Sequence, residues 1–184
     1  MAKQKLEAAR RHTAALLHAD PKELVYEPVA LVLTRQALPT LDRTKYASAA
    51  GVAKGAYILA DAPDGKPEVI LIGTGSEVSL CVNAFEQLKA EGVKARVVSM
   101  PSTEIFEQQS EDYRKQILPP SVKARVAVEQ SCVFGWGQYV GLSGKVVGMH
   151  SFGASAPLKD LQKKFGFTVD KVVEAAKQTI AQSK

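Results

Sequence analysis

The stretch Glu68-Val-Ile-Leu-Ile72, followed by Gly73-Thr-Gly-Ser-Glu-Val78, decides the fold of this chain. Its first part is a short apolar run rich in Val, Ile and Leu, which predicts a buried strand over 68–72. From residue 76 to about 90, apolar residues recur on one helix face, and Gly92 follows where a left-handed cap is expected. A strand, a glycine-containing turn and an amphipathic helix in this order are typical of an α/β protein.

The same alternation of strands and helices continues in both directions. Further strands are predicted at 55–60, 95–99, 124–128 and 145–148. Helices are predicted at 157–164 and 169–182, together with a short helix within 134–142 and short helical pieces around Phe106 and Tyr113. We therefore predict an α/β fold, a three-layer sandwich with a mostly parallel sheet of about five strands.

The N-terminal part of the sequence lacks this regular pattern. Residues 1–19 predict an exposed, weakly amphipathic helix that Asp20 and Pro21 end. Residues 29–33 are a continuous apolar run of strand length, and residues 37–54 have the composition of a linker. The predicted core domain therefore spans residues 45–184, with a shorter segment before it.

Composition narrows the class of protein. The chain has 184 residues, of which 46% are hydrophobic and 23% charged, as in an ordinary soluble domain with a sizeable core. The net charge of +5 is scattered rather than clustered, so no nucleic-acid partner is expected. No apolar run is long enough to cross a bilayer, and the N-terminus has no signal core, which indicates a cytoplasmic protein with no membrane partner. Cys81 and Cys132 have no nearby Cys or His at metal-ligand spacing and are interpreted as free, buried thiols.

The turn Gly73–Val78 is the sharpest local motif. Thr74 and Glu77 have the spacing of a capping box, in which each side chain accepts a hydrogen bond from the other residue's amide. A helix N-terminus can also bind an anion. The third glycine of the dinucleotide fingerprint and the lysine of the P-loop are both missing, however, so a structural turn is favoured over a phosphate or nucleotide site.

Three other features are candidates for function. Glu129 follows the strand at 124–128 and is either a functional acid or a structural partner of a basic group or a cap. Phe134, Trp136 and Tyr139 form an aromatic cluster, which favours a subunit interface. Arg35 follows the apolar run at 29–33, where a guanidinium suits either phosphate recognition or an ordinary surface position. No catalytic and no metal-binding residue is predicted.

Several blocks of sequence resemble the transketolase family, in the family's order and spacing. One block, Ala30-Leu-Val-Leu-Thr-Arg-Gln36 with Leu38-Pro39, resembles the end of the family's middle, pyrimidine-binding domain. The others resemble its C-terminal domain: Gly51–Tyr57, Ile72–Val78, Glu91–Ser102, Tyr139–Leu142, Phe152-Gly153, Ser155–Pro157 and Phe165–Val169. The resemblance covers residues from about 28 to 181.

The resemblance implies a domain organisation and a role. Residues 28–44 would be the last strand of the pyrimidine-binding domain with its linker, residues 45–184 the C-terminal domain, and residues 1–27 a leader helix and loop of unclear origin. Transketolases use thiamin diphosphate with Mg²⁺ or Ca²⁺ to move a two-carbon ketol unit between sugar phosphates, a reaction of the pentose phosphate pathway. Arg35 matches the family arginine that binds the substrate phosphate.

The sequence also departs from the complete family pattern. It contains no metal and diphosphate motif, no glutamate for the cofactor's aminopyrimidine and none of the family's substrate histidines. We therefore expect no cofactor bound by this chain alone and no activity alone, because ylid chemistry needs the cofactor to be held. The expected partners are a second copy in a homodimer or an N-terminal transketolase portion. The alternatives are a regulatory phosphate- or nucleotide-binding module and a subunit of a split transketolase.

Overall fold

The structure is a computed structural model that describes residues 33, 34 and 36–183. The predicted helix at 1–19, most of the predicted strand at 29–33, and Arg35 lie outside the described residues. Five strands form one sheet: β1 (Tyr57–Ala60), β2 (Val69–Gly73), β3 (Ala95–Ser99), β4 (Arg125–Cys132) and β5 (Lys145–Met149). Their spatial order is β1-β3-β2-β4-β5, with β2 to β5 parallel and β1 antiparallel to β3. The predicted mostly parallel, five-stranded sheet is confirmed.

Six α-helices accompany the described strands: α1 (Val78–Ala90), α2 (Thr103–Glu107), α3 (Glu111–Ile117), α4 (Gly137–Val140), α5 (Leu158–Phe165) and α6 (Val169–Gln182). Short 3-10 helices cover Ala49–Lys54 and Gly75–Glu77, so the predicted helix at 76–90 opens with a 3-10 turn. The short helix predicted within residues 134–142 is confirmed as the four residues of α4. Gly135 and Gly141 flank it with φ values of 88° and 70°, which lie outside the right-handed helical region.

The helices cover both faces of the sheet. Leu71, Val97 and Val126 face a cluster that α1 and α6 complete, whereas Ile70 and Ile72 face a second cluster that contains Phe106 of α2. Successive residues of β2 thus point to opposite sides, as the pleat of a strand requires. Because all five residues of β2 are buried, its apolar run is explained by burial on both faces. The predicted three-layer sandwich is confirmed.

The end of α1 sets the course of the chain into β3. Gly92 has φ 80°, its amide donates to the carbonyl of Lys89 at 3.1 Å, and the Val93 amide donates to the carbonyl of Leu88 at 2.9 Å. This pair of bonds is the Schellman motif, and the expectation of a left-handed cap at Gly92 is confirmed. The turn returns the chain beneath α1, so that β3 lies beside β2.

Part of the predicted linker at 37–54 packs on the domain. The Tyr46 hydroxyl donates to the Glu86 carboxylate of α1 at 2.7 Å. The Ala47 amide donates to the carbonyl of Leu59 in β1 at 2.9 Å. This bond covers part of the outer edge of β1, which would otherwise present unpaired backbone groups.

An arginine buried in β3 was not singled out from the sequence. Arg96 is 5% exposed and forms a two-fold ion pair with Asp61, in which both nitrogen–oxygen distances are 2.8 Å. It also donates to the carbonyls of Gly65, Gln116 and Ile117. The sequence contained a signal for this role, because a charged residue within an apolar strand needs a buried partner. Arg96 therefore fixes the β1–β2 turn and the end of α3 to the sheet.

Candidate functional site

The carboxyl ends of β2 and β4 form the point at which the strand order reverses. From β2 the chain passes through α1 to β3 on one side, and it then crosses to β4 on the other side of β2. In open α/β sheets, ligands bind in the crevice that such a reversal leaves. The turn from Gly73 to Val78 and the residue Glu129 both lie at this edge, so the structure brings these two predicted candidates together.

Gly73 and Gly75 shape the turn that enters α1. A Cβ on Gly73 would lie 3.0 Å from the sulfur of Cys81 and 3.1 Å from the backbone of Val78, so a larger residue would crowd the start of α1. Gly75 has φ 44°, in the left-handed region that glycine tolerates without strain. The glycines are therefore explained by close packing and by the turn itself.

The predicted capping box is wrong. The Thr74 hydroxyl donates to Oε2 of Glu129 at 2.7 Å and makes no cap hydrogen bond, while the Glu77 amide donates to the Thr74 carbonyl at 3.0 Å. A carboxylate is a stronger acceptor than a neutral group. Glu129 lies on the neighbouring strand, far from Thr74 in the sequence, so local spacing does not reveal it as the partner. Glu129 is thus a structural partner of Thr74, although not of the basic group that was considered.

Glu77 is the buried acid of this edge. It is 4% exposed, and the Ser76 hydroxyl donates to its Oε1 at 2.5 Å. Burial raises the pKa of the Glu77 carboxyl, and the negative charge of Glu129 acts in the same direction. The hydrogen bond from Ser76 and those from the amides of Glu77 and Gln130 oppose this increase in the pKa.

The chemistry of this edge does not suit an anionic ligand. Two carboxylates, Glu77 and Glu129, repel a phosphate, and the carboxylate of Glu77 already accepts the amides of Glu77 and of Gln130 in β4. Within the described residues, no group of three or more His, Cys, Asp and Glu side chains could hold a metal ion. The arrangement joins the β2–α1 turn to the end of β4 and gives no support to a phosphate cradle.

The aromatic cluster divides between the core and the surface. Trp136 and Tyr139 are 6% and 5% exposed, with ring centroids 5.8 Å apart in an edge-to-face arrangement. The predicted interface is wrong for these two side chains, because they complete the chain's own second cluster. Phe134 is 92% exposed, and an interface role for it stays a prediction.

The two cysteines also differ. Cys81 is buried as expected, but Cys132 is exposed, which corrects the prediction of a buried thiol. β4 continues past the apolar residues 126–128 to Cys132, which pairs with Met149 beyond an irregularity in the register. Among the helices of the described region, none has both the length and the apolar character required to cross a bilayer.

Comparison of the sequence with known proteins finds one family throughout. The model of the family described as the transketolase-like TK C-terminal domain matches residues 55–168. Transketolase 1 of Escherichia coli K12 is 54% identical over 153 residues, which cover 83% of this chain and 23% of that protein.

Two solved structures are similar. Transketolase from Leishmania mexicana has a TM-score of 0.67 and 43% identity, over 72% of this chain and 19% of that one. A Pichia stipitis transketolase in complex with sedoheptulose 7-phosphate has a TM-score of 0.71 and 38% identity, over 80% of this chain and 21% of that one. The chain thus spans about a quarter or less of the length of these relatives.

Proposed function

The chain belongs to the transketolase-like C-terminal domain family, and from this we propose that it acts as the C-terminal part of a thiamin-diphosphate-dependent transketolase. The match of the family model over residues 55–168, together with 54% identity to a bacterial transketolase, carries the proposal. The complete enzyme would transfer a two-carbon ketol unit between sugar phosphates in the cytoplasm, as part of the pentose phosphate pathway. In it this chain would supply structure, contacts within a homodimer, and one substrate-binding arginine.

The proposed domain boundaries follow from the same family assignment. The family match begins at residue 55, inside the proposed C-terminal domain at 45–184. Residues 28–44 would be the last strand of the pyrimidine-binding domain and its linker. Residues 1–27 would be a leader whose role the family assignment does not supply.

Arg35 is the one substrate-binding residue that we propose. Its support is the sequence Leu33-Thr-Arg-Gln36, which resembles the family block that carries the phosphate-binding arginine. A guanidinium binds a phosphate through a planar fork of N–H donors, a geometry that lysine does not reproduce. The expected ligand group is the phosphate of the sugar substrate.

The cofactor does not fit the described residues. Thiamin diphosphate supplies the carbanion chemistry of ketol transfer, and it needs a divalent metal and donors for its diphosphate. The acidic edge formed by Glu77 and Glu129 repels a diphosphate, and the described residues contain no candidate metal cluster. We propose that Mg²⁺ or Ca²⁺ and the cofactor bind to an N-terminal portion of the complete enzyme.

An assay of ketol transfer tests the proposal. The chain is assayed with thiamin diphosphate, Mg²⁺ and sugar phosphates, first alone and then mixed with the N-terminal portion of a transketolase. We expect activity in the mixture only. Activity of the chain alone would contradict the proposal that the cofactor binds to the N-terminal portion. Absence of activity both for the chain alone and for the mixture would contradict a complementing role.

Arg35→Ala sharpens this assay. Loss of charge-assisted hydrogen bonds to a phosphate should raise KM for phosphorylated substrates by roughly 10- to 100-fold in the active mixture. KM for a substrate without a phosphate should stay within about two-fold. Arg43→Ala removes an exposed arginine, eight positions further along the sequence, that donates to the Ala47 carbonyl, and it should leave both KM values unchanged. Equal effects of the two variants would contradict a specific role for Arg35.

A further inference from the structure

A cavity of about 320 Å³ lies among α2, α3, α4 and the first residue of β4. Its wall includes Phe106 and Glu107 of α2, Arg114 of α3, Tyr139 of α4, and Arg125. Arg125 and Glu129 are four residues apart on β4, a distance of roughly 13 Å along an extended strand. The cavity is therefore separate from the acidic edge at the carboxyl end of the sheet.

Two hydrogen-bond donors of the cavity wall have no partner. The Tyr139 hydroxyl and Nε of Arg114 are both buried, and neither makes a hydrogen bond of normal length and angle. Burial, reinforced by the nearby Glu107 carboxylate, raises the pKa of Tyr139 to about 12, so the hydroxyl keeps its proton at neutral pH. Buried donors without acceptors are rare and costly, which makes this pair a signal for a missing acceptor.

The charges of the wall decide which kind of acceptor fits. Arg114 Nη1 donates to Oε2 of Glu107 at 2.7 Å, and Lys115 pairs with Glu111 at 2.5 Å. Arg125 donates to the carbonyls of Leu118, Pro119, Val122 and Tyr139, so backbone groups satisfy its guanidinium. The wall holds three cations and two carboxylates, and every cation already has an acceptor, so none is free to hold a phosphate or carboxylate ligand.

A ligand hydroxyl group can pair with both the hydrogen-bond donors and the carboxylate acceptors of the cavity wall. Its oxygen accepts from Tyr139 and Arg114, and its proton is donated to the carboxylate of Glu107 or Glu111. Gln138 adds an amide that both donates and accepts. The volume lies at the lower end of the range for small-molecule sites. We propose that this cavity binds a small neutral molecule rich in hydroxyl groups, a polyol or a monosaccharide.

A titration of the full ¹⁵N-labelled chain with D-glucose, followed by NMR, tests this proposal. We expect saturable shifts of the Arg114 Nε–H signal and of the Gln138 and Tyr139 amides, with Kd in the millimolar range. Tyr139→Phe keeps the ring and removes the donor, and it should weaken binding roughly ten-fold. Arg114→Gln changes a partly exposed side chain and should weaken binding similarly. Tyr46→Phe removes the hydroxyl that bonds Glu86, and it should bind glucose as the unaltered chain does.

Several outcomes would overturn the proposal. One is the absence of saturable shifts up to roughly 0.1 M glucose, which would leave water as the acceptor. Another is equal binding by Tyr139→Phe and the unaltered chain. A third is saturation by inorganic phosphate at matched ionic strength, which would identify an anion site and refute the electrostatic argument.

Discussion

The residues at the centre of the sheet are more deeply buried than those on its β5 side. Every residue of β2 and β3 is buried, and helices cover both faces of these strands. By contrast, all five residues of β5 are only half-buried, and α5 has no buried residue. Phe134 and Phe152, which follow the paired ends of β4 and β5, are 92% and 98% exposed. The centre is therefore complete within this chain, whereas the β5 side presents exposed apolar surface of the kind that marks interaction sites.

A matched pair of leucine substitutions gives the largest expected contrast. Leu71→Ala empties a fully buried position of β2 and should lower the free energy of unfolding by about 4 kcal/mol, through lost transfer energy and a residual cavity. Leu158→Ala, at a position of α5 that is 43% exposed, should lower it by about 0.5 kcal/mol or less. Urea unfolding followed by circular dichroism measures both, and similar losses would refute the contrast.

Glu77 is a buried acid at the contact between the β2–α1 turn and the end of β4, and its ionisation makes the stability of the fold depend on pH. Its pKa is raised by burial, so the folded chain holds the proton more tightly than the unfolded chain does. This contribution to stability is fully present below the unfolded pKa and is lost as the pH rises through the folded pKa. Each unit of difference between the two pKa values corresponds to about 1.4 kcal/mol.

Glu77→Gln should remove this contribution to the pH dependence. The difference in unfolding free energy between the variant and the unaltered chain should therefore shift in favour of the variant as the pH rises from about 4 to 7. Asp64→Asn is the control: the pKa of Asp64 is lowered, first by its hydrogen bond with Lys94, so its difference should shift the opposite way. Unfolding curves at several pH values check both, and a flat difference for Glu77→Gln would contradict the prediction.

Phe134→Ser and Phe152→Ser should have the smallest effect on folding. Their side chains are almost fully exposed, so the unfolding free energy should change by no more than about 0.5 kcal/mol. Sedimentation velocity should show weaker self-association of both variants if this apolar surface contacts a second copy. Phe106→Ser, at a position that is 2% exposed, should by comparison unfold the domain. A large loss of stability at Phe134 would show that it packs within the chain.

Sequence patterns located the buried elements well because burial on both faces leaves a continuous apolar run. The predicted strand at 95–99 coincides with β3, and the predicted helix at 169–182 coincides with α6. A short helix was predicted within residues 134–142 but without bounds, and flanking glycines with positive φ confine it to one turn. Boundaries are thus set by backbone conformation, which apolar periodicity does not record.

The candidate site was less accessible to sequence reasoning. The bond between Thr74 and Glu129 joins residues that are 55 positions apart, so no local spacing could have revealed it. Glu77 reads as an ordinary capping residue, and its burial depends on how the end of β4 approaches it. Arg35 was a candidate because it follows an apolar run, the family resemblance favoured phosphate binding over an ordinary surface position, and its role stays a prediction.

The bond between Ala47 and Leu59 has a consequence for aggregation. It places incoming chain along the outer side of β1, and this obstructs the addition of a foreign strand there. At the opposite end of the sheet, no strand of the described region lies beyond β5. A fibre grows by strand addition only if every unit has two open sheet edges, so that each edge pairs with a strand of a different neighbour. A sheet with one obstructed edge can pair with a single neighbour, so its natural endpoint is a closed pair rather than a filament.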